Sequence, residues 1–290
     1  MNLSILYRGP LSSCNYGCPY CPFAKHSESS EEHENDRLAL EKFVDFVGSR
    51  NADSLSVFFT PWGEALIHKR YQLALTRLSQ LANIQRAVIQ TNLSCKLDWV
   101  DACDKNKLAL WATFHPGEVS LEKFVAQCLD LLAKRVRFSV GVVGLKENIP
   151  AITSLREALP GEVYIWVNAF KRQENYYNGE DLSILKGIDP YFLTNNQYHS
   201  SLGKSCRAGS TVISVDGDGV IRRCHFIKEP IGNIYEPDFE RCLQERLCSN
   251  ELCGCHIGYV HLDELGLYDA FAGGILERIP SNWPQVLRLL

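Results

Sequence analysis

The chain has 290 residues, 46% hydrophobic and 22% charged, so it can bury a full-sized core and is neither a disordered segment nor a mini-protein. Its net charge of -4 comes without any Lys/Arg-rich block, which argues against a footprint on the phosphate backbone of nucleic acid. No apolar run approaches the roughly 18 to 20 residues of a membrane span, and Met1-Asn2-Leu3-Ser4 lacks the charged region and apolar stretch of a signal peptide. These features together predict a soluble, cytoplasmic protein with neither nucleic acid nor membrane as partner.

From Leu3 to about Phe170, short apolar runs alternate with helical patterns, as repeated βα units around a parallel sheet would. The predicted strands are Leu3–Tyr7, Ser54–Phe59, Ala87–Gln90, Leu108–Phe114, Arg137–Val143 and Val163–Val167. Helical stretches begin near Arg37, Ala65, Leu97, Ser120 and Pro150, with Ser120 as an N-cap and Pro150 suited to a first turn. Six units predict an incomplete barrel. The acidic run from Glu28 to Asp36 is expected to be a solvated loop. After Phe170 come polar, turn-rich linkers, then a β-hairpin of Thr211–Val215 and Val220–Arg223 around Asp216-Gly217-Asp218-Gly219. The expected division is 1–195, a second small unit over 196–260, and a tail over 261–290. An apolar helical pattern at Leu262, Leu265, Tyr268 and Phe271 is expected to pack the tail on the barrel.

Twelve cysteines are many for a chain expected in a reducing compartment, and ligation of metal or cluster is the leading explanation. Cys128 falls in a helical stretch and Cys103 follows one, and both are expected to be core thiols. Cys14-Asn-Tyr-Gly-Cys18-Pro-Tyr-Cys21 instead crowds three thiols directly after the first strand, where parallel βα folds put their ligand-binding ends. Completed by His26 or His33, the triplet would make a zinc knuckle; alone, it suits a four-iron cluster with one iron left open. Spacing does not choose between them.

The pattern CxxxCxxC, with the aromatic Tyr20 before its last cysteine, resembles the signature of radical S-adenosylmethionine (SAM) enzymes. The resemblance implies a 4Fe-4S cluster on Cys14, Cys18 and Cys21. The open iron of that cluster chelates SAM, and one electron cleaves the sulfonium to a deoxyadenosyl radical that takes hydrogen from a substrate. Thr60-Pro61-Trp62-Gly63-Glu64 resembles the Gly-Gly-Glu motif that holds the SAM amino group; Trp62 stands where the first glycine is usual, so the resemblance carries to Gly63 and Glu64. Asn92 and His115 close the third and fourth strands, where related enzymes make polar contacts to SAM or substrate. Val140-Gly-Val142-Val-Gly144-Leu-Lys-Glu147 is similar to GxIxGxxE, which implies Val142 against adenine beside Gly144. Asn168, at the end of the sixth strand, is a candidate for ribose or adenine, and equally a turn former.

Cys206 leads into the hairpin and Cys224 closes it, so antiparallel pairing brings the two thiols together. Cys248, Cys253 and Cys255 follow. The order resembles twitch and SPASM extensions, which implies one auxiliary 4Fe-4S cluster on Cys206, Cys224, Cys253 and Cys255, with Cys248 as alternate ligand and Cys242 structural. The CxC ending departs from the usual CxxC, and a zinc ribbon on the same thiolates is the rival. His256 and His261 could contact substrate or be structural.

The fold class implied is α/β: a partial (β/α)6 radical SAM barrel with a small hairpin-plus-helix auxiliary iron–sulfur domain. The implied activity is hydrogen abstraction from a peptide or protein side chain, with a flavodoxin or ferredoxin-type electron donor. The alternatives are a small-molecule dehydrogenase acting on a carbinol or sugar-like compound, and a non-catalytic zinc or iron–sulfur scaffold. Only 13 residues precede Cys14, which leaves no room for a leader-binding domain and weighs against the peptide reading. No general acid or base is assigned.

Overall fold

The computed structural model describes residues 1–23 and 27–283, so His26 and the closing Pro284–Leu290 lie outside the described residues. Six parallel strands form first: β1 (Asn2–Arg8), β2 (Ser54–Phe59), β3 (Ile84–Thr91), β4 (Leu108–Phe114), β5 (Arg137–Gly144) and β6 (Ile165–Ala169). Each pairs with the next in chain order, the arrangement of a barrel left open between first and last strands. The sixth strand starts two residues later than the sequence predicts, because Val163 N–H is taken by Pro160 C=O in a turn.

Strand residues alternate between two cores, as a pleat of period two requires. Ile5, Val57, Ile89, Leu110 and Val167 face an outer core with the helices α1 (Ser30–Ser49), α2 (Lys69–Gln80), α3 (Leu121–Ala133), α4 (Ile149–Ala158) and α5 (Gly179–Ile188). Leu6, Phe58, Val88, Trp111 and Trp166 face the concave side.

The acidic run is the start of α1 rather than a loop. Ser29 accepts from Glu32 N–H while the Glu32 carboxylate accepts from Ser29 N–H, and Glu31 and Glu32 sit where the helix dipole favours negative charge. Clustered like charge misleads as a loop signal when the cluster falls on a helix N-terminus. Helix α2 begins at Lys69, not Ala65, because Leu66 N–H is held by Glu64 Oε1 in a preceding turn. The stretch near Leu97 makes only a 3-10 turn, Asp98–Ala102. Ser120 caps α3 and Pro150 lies in the first turn of α4, as expected.

Beyond a short helix α6 (Phe192–Asn195), the chain forms β7 (His199–Ser200), β8 (Val212–Asp216), β9 (Val220–Arg222), β10 (Pro230–Asn233) and β11 (Leu252–Cys253). The expected hairpin is β8–β9, its turn closed by Gly219 at φ +81° and by Asp216 Oδ1, which accepts from Asp218 and Val220 N–H. Strand β8 also pairs in parallel with β1, so the hairpin and β10 extend the barrel's sheet to nine strands.

The tail fills the open side. Helix α7 (His256–Tyr259), just before the tail, and α8 (Leu267–Phe271), with Leu262 between them, bring Ile257, Tyr259, Leu262 and Phe271 against the concave aromatic face. Gly266, at φ +59°, breaks the single helix that the apolar spacing predicts there. Glu277, fully buried, ties the tail down: its carboxylate accepts from Arg137, and its carbonyl from Ser139 Oγ. Glu277→Ala removes the buried carboxylate that Arg137 and Arg86 both face, and is expected to lower the unfolding free energy by about 3 kcal/mol in chemical denaturation. Arg37→Ala, which removes only the exposed pairs with Glu34 and Glu41, is expected to leave the midpoint unchanged.

Candidate active site

The cysteine triplet lies on the loop that leaves the C-terminal end of β1, and neighbouring loops fix it. Glu28 accepts from Ser12 N–H and Ser13 Oγ immediately before Cys14. The loop after β2 lies on it so closely that a Cβ at Gly63 would meet the Ser13 carbonyl oxygen at 1.7 Å, and Glu64 N–H donates to that carbonyl. Only glycine fits there.

Glu64 is buried, and its carboxylate accepts from Leu66 N–H and Thr91 Oγ1 through one oxygen and Asn92 N–H through the other. Burial outweighs those three donors and raises its pKa to about 7. Asn92 reaches the triplet loop, donating to Asn15 Oδ1 at 3.1 Å. His115 Nδ1 lies 2.8 Å from Tyr20 Oη and 3.4 Å from Cys18 Sγ, and desolvation lowers the imidazole to about 4, so it is neutral. Trp62, in the position of the missing glycine, turns to the rim under the Arg8 guanidinium, 4.1 Å from its ring, and beside Phe23.

These residues line one cleft of about 270 Å³ over the open ends of the parallel strands, near the lower end of the size range of small-molecule sites. Cys14, Cys18, Cys21, Gly63, Glu64, Asn92, His115 and Asn168 all contribute to its wall. Val142 and Gly144 do not. Strand parity sends Val142 into the outer core, while Gly144 makes room for Tyr177, whose hydroxyl donates to the Gly144 carbonyl; the cleft residue of β5 is Val143. The motif matches in position along the strand but falls one residue out of phase with the face. His33 turns toward Glu28 rather than the cysteines.

The opposite wall comes from the chain's last quarter: Cys255, His256, Ile257 and Arg278. Arg278 is 1% exposed, lies 4.5 Å over the Trp166 ring, and leaves Nε and Nη2 without hydrogen-bond partners. No sequence signal marks it, because a lone arginine in a tail has no motif. His256 lines the cleft buried and neutral, and His261 is held by Tyr268 Oη at 2.9 Å outside it.

Cys206, Cys224 and Cys248 pack together around Ala208 and Ile227. Cys253 is beside them, its thiol pushed up to about 12 by burial and then by the neighbouring Cys224, Cys255, Cys248 and Cys206. Cys255 is exposed to the cleft instead, so the thiol that packs with the hairpin pair is Cys248 rather than Cys255. Cys242 lies apart, against Gly232 and the outer core. Cys103 and Cys128 are buried as expected, and Cys95 joins them.

No family model and no curated protein matches the chain. Among solved structures, it is similar to a hexahistidine-tagged anSMEcpe with bound AdoMet, with TM-score 0.54 and 16% identity over 84% of this chain and 80% of that one. It is similar also to "Native anSMEcpe with bound AdoMet and Cp18Cys peptide", with TM-score 0.52 and 17% identity over 83% and 82%. The shared feature is the fold, an α/β architecture with a parallel central sheet, as the radical SAM resemblance implied. No helix among the described residues is long and apolar enough to cross a membrane.

Glu64 has a stability signature. Its folded pKa of about 7 exceeds the ordinary 4.5, so the folded state gains from binding the proton below 4.5 and loses that gain as pH rises through 7. The stability of Glu64→Gln relative to wild-type apoprotein is expected to rise by about 3 kcal/mol between pH 4.5 and pH 8, read by urea denaturation. A difference independent of pH would show that the carboxyl is ionised throughout.

Proposed function

We propose that the chain is a radical SAM enzyme that removes a hydrogen atom from a peptide or protein side chain. The observation that carries this reading is the convergence of Cys14, Cys18 and Cys21 with Glu64, Asn92, His115 and Asn168 on one cleft at the open strand ends. The thiol spacing suits a cluster better than one ion. Sulfurs around a single zinc lie within about 4 Å of one another, given Zn–S bonds of about 2.3 Å. Among the described residues, the one set of three or more potential ligand atoms within 4.8 Å of each other contains no cysteine.

A 4Fe-4S cluster held by Cys14, Cys18 and Cys21, together with bound SAM and an electron from a flavodoxin or ferredoxin-type donor, would supply sulfonium cleavage and the hydrogen-abstracting radical. The protein's own residues orient and enclose. Glu64 stands at the edge of ionisation, so an arriving ammonium would draw it to the carboxylate form and pair with it. Neutral His115 holds Tyr20 beside Cys18, keeping the loop's aromatic wall in place. Asn92 and Asn168 offer polar contacts to SAM, and Val143 takes the apolar position against adenine. Arg278 presents a buried cation with free donors on the opposite wall, suited to an anionic group of the substrate.

The auxiliary 4Fe-4S cluster is assigned to Cys206, Cys224, Cys248 and Cys253, within a unit over 196–260 that follows the SAM-binding barrel of 1–195. The peptide substrate draws support from the similar fold of anSMEcpe, solved with a bound peptide.

Anaerobic reconstitution with iron and sulfide is expected to give about eight irons per chain, and dithionite to drive deoxyadenosine formation from SAM. Cys18→Ala should abolish deoxyadenosine with the fold retained by circular dichroism. Zinc without sulfide, and no SAM cleavage, would leave the scaffold reading standing. Cys248→Ala should lower the count to about four irons while Cys255→Ala keeps about eight; the reverse pattern would return Cys255 to the ligand set. Deoxyadenosine uncoupled from peptides but coupled to a carbinol or sugar would move the substrate to the small-molecule class.

A further inference from the structure

On the outer side of the cysteine loop, three side chains from three segments converge where no cysteine reaches. Glu28 precedes α1, His33 lies in its first turns, and His68 immediately precedes α2. One ligand atom from each lies within 4.8 Å of those of the other two. The three are held differently. The Glu28 side chain is 2% exposed and anchored by Ser12 N–H and Ser13 Oγ, His68 Nε2 is buried without a hydrogen-bond partner, and the His33 side chain is 37% exposed.

The two groups that face His33 Nδ1 make opposite demands on it. Arg70 Nη2 lies 3.4 Å away and can only donate, which requires a lone pair on Nδ1. Glu28 Oε2 lies 3.3 Å from the same nitrogen and can only accept, which requires a proton there. One nitrogen does not satisfy both. A divalent ion between Nδ1 and Oε2 would accept both lone pairs at once, and His68, whose Nε2 is buried without a hydrogen-bond partner, brings a third ligand atom within reach. Arg70 leaves Nδ1 as the ion enters and keeps its bond to Asp36, Nε to Oδ2 at 2.6 Å.

We infer that Glu28, His33 and His68 form a site for a divalent first-row transition ion, separate from both cysteine sets, with coordination completed by water on the open side at His33. Two imidazoles and a carboxylate are ligands of this class, and the imidazoles bind as neutral donors, so no oxidation or group transfer accompanies binding. The ion joins the start of α1, the turn before α2 and, through Glu28, the backbone just before Cys14. Its effect is to stiffen the loop that carries the triplet.

Zinc chloride is the probe, added to full-length protein whose clusters have been reconstituted anaerobically so that the thiolates are already occupied. About one zinc per chain is expected to survive desalting, with nitrogen and oxygen but no sulfur around it by X-ray absorption, and to raise the melting temperature. His33→Ala and His68→Ala should each weaken zinc binding by at least about 10-fold, the smallest loss that even an outer-shell partner's mutation produces. Iron and sulfide content should not change. The half-exposed His33 makes the first variant safe for folding, checked by its melting temperature in chelator. Zinc binding equal to wild type in His33→Ala, sulfur around the zinc, or no zinc retained after desalting would each overturn the site.

Discussion

The close approach of Gly63 to the Ser13 carbonyl is the constraint on which the rest of the cleft depends. With no side chain between them, the backbone leaving β2 lies directly on the backbone leaving β1, and Glu64 N–H seals the contact. The Glu64 carboxylate then reaches across to Thr91 and Asn92 at the end of β3. Three consecutive strand ends are thereby locked by one glycine and one buried acid. A buried carboxyl with three donors is held in a single position, which suits a group that must meet a ligand, and it carries an ionisation cost that a cationic ligand would offset.

The opposite wall is built on a different principle. An open sheet leaves its concave face unpaired, and here Phe58, Trp111, Tyr164 and Trp166 cover it with rings that the tail then packs against. The tail carries Arg278 into that aromatic layer, where the Trp166 face attracts the guanidinium but leaves two of its nitrogens without hydrogen-bond partners. The far wall is therefore cationic while the near wall carries the thiols and Glu64. A ligand spanning the two meets opposite chemistry at its ends.

Much of this was legible in the sequence because it is local. Strand spacing, the β8–β9 turn and the cysteine triplet each need only a few consecutive residues to be recognised, and the order of six βα units follows from their repetition. What is not legible has two causes. In the acidic run the local Ser29–Glu32 capping box is masked by the run of like charge around it. The motif points to Val142 because it fixes position along a strand but not the face, which depends on the register with β4 and β6. Arg278 belongs to contacts made by distant segments, and nothing nearby in the chain marks it; Cys248 is marked by its neighbours as an alternate ligand, but its packing with Cys206 and Cys224 depends on segments far apart in the chain.

The CxC ending that departs from the expected CxxC has a physical reading in the backbone. Cys253 ends β11, paired with His199, and Cys255 directly precedes α7, so the chain changes direction between them. Gly254 makes the turn tight: a Cβ there would lie 2.5 Å from the Tyr198 ring, and its carbonyl accepts from Lys171. The two thiols consequently diverge, Cys253 toward the hairpin cysteines and Cys255 into the cleft. A second spacer residue would relax this turn and let both thiols face one way. The shorter spacing thus separates Cys253 from Cys255, and Lys171, Arg278 and Arg8 surround Cys255 with positive charge.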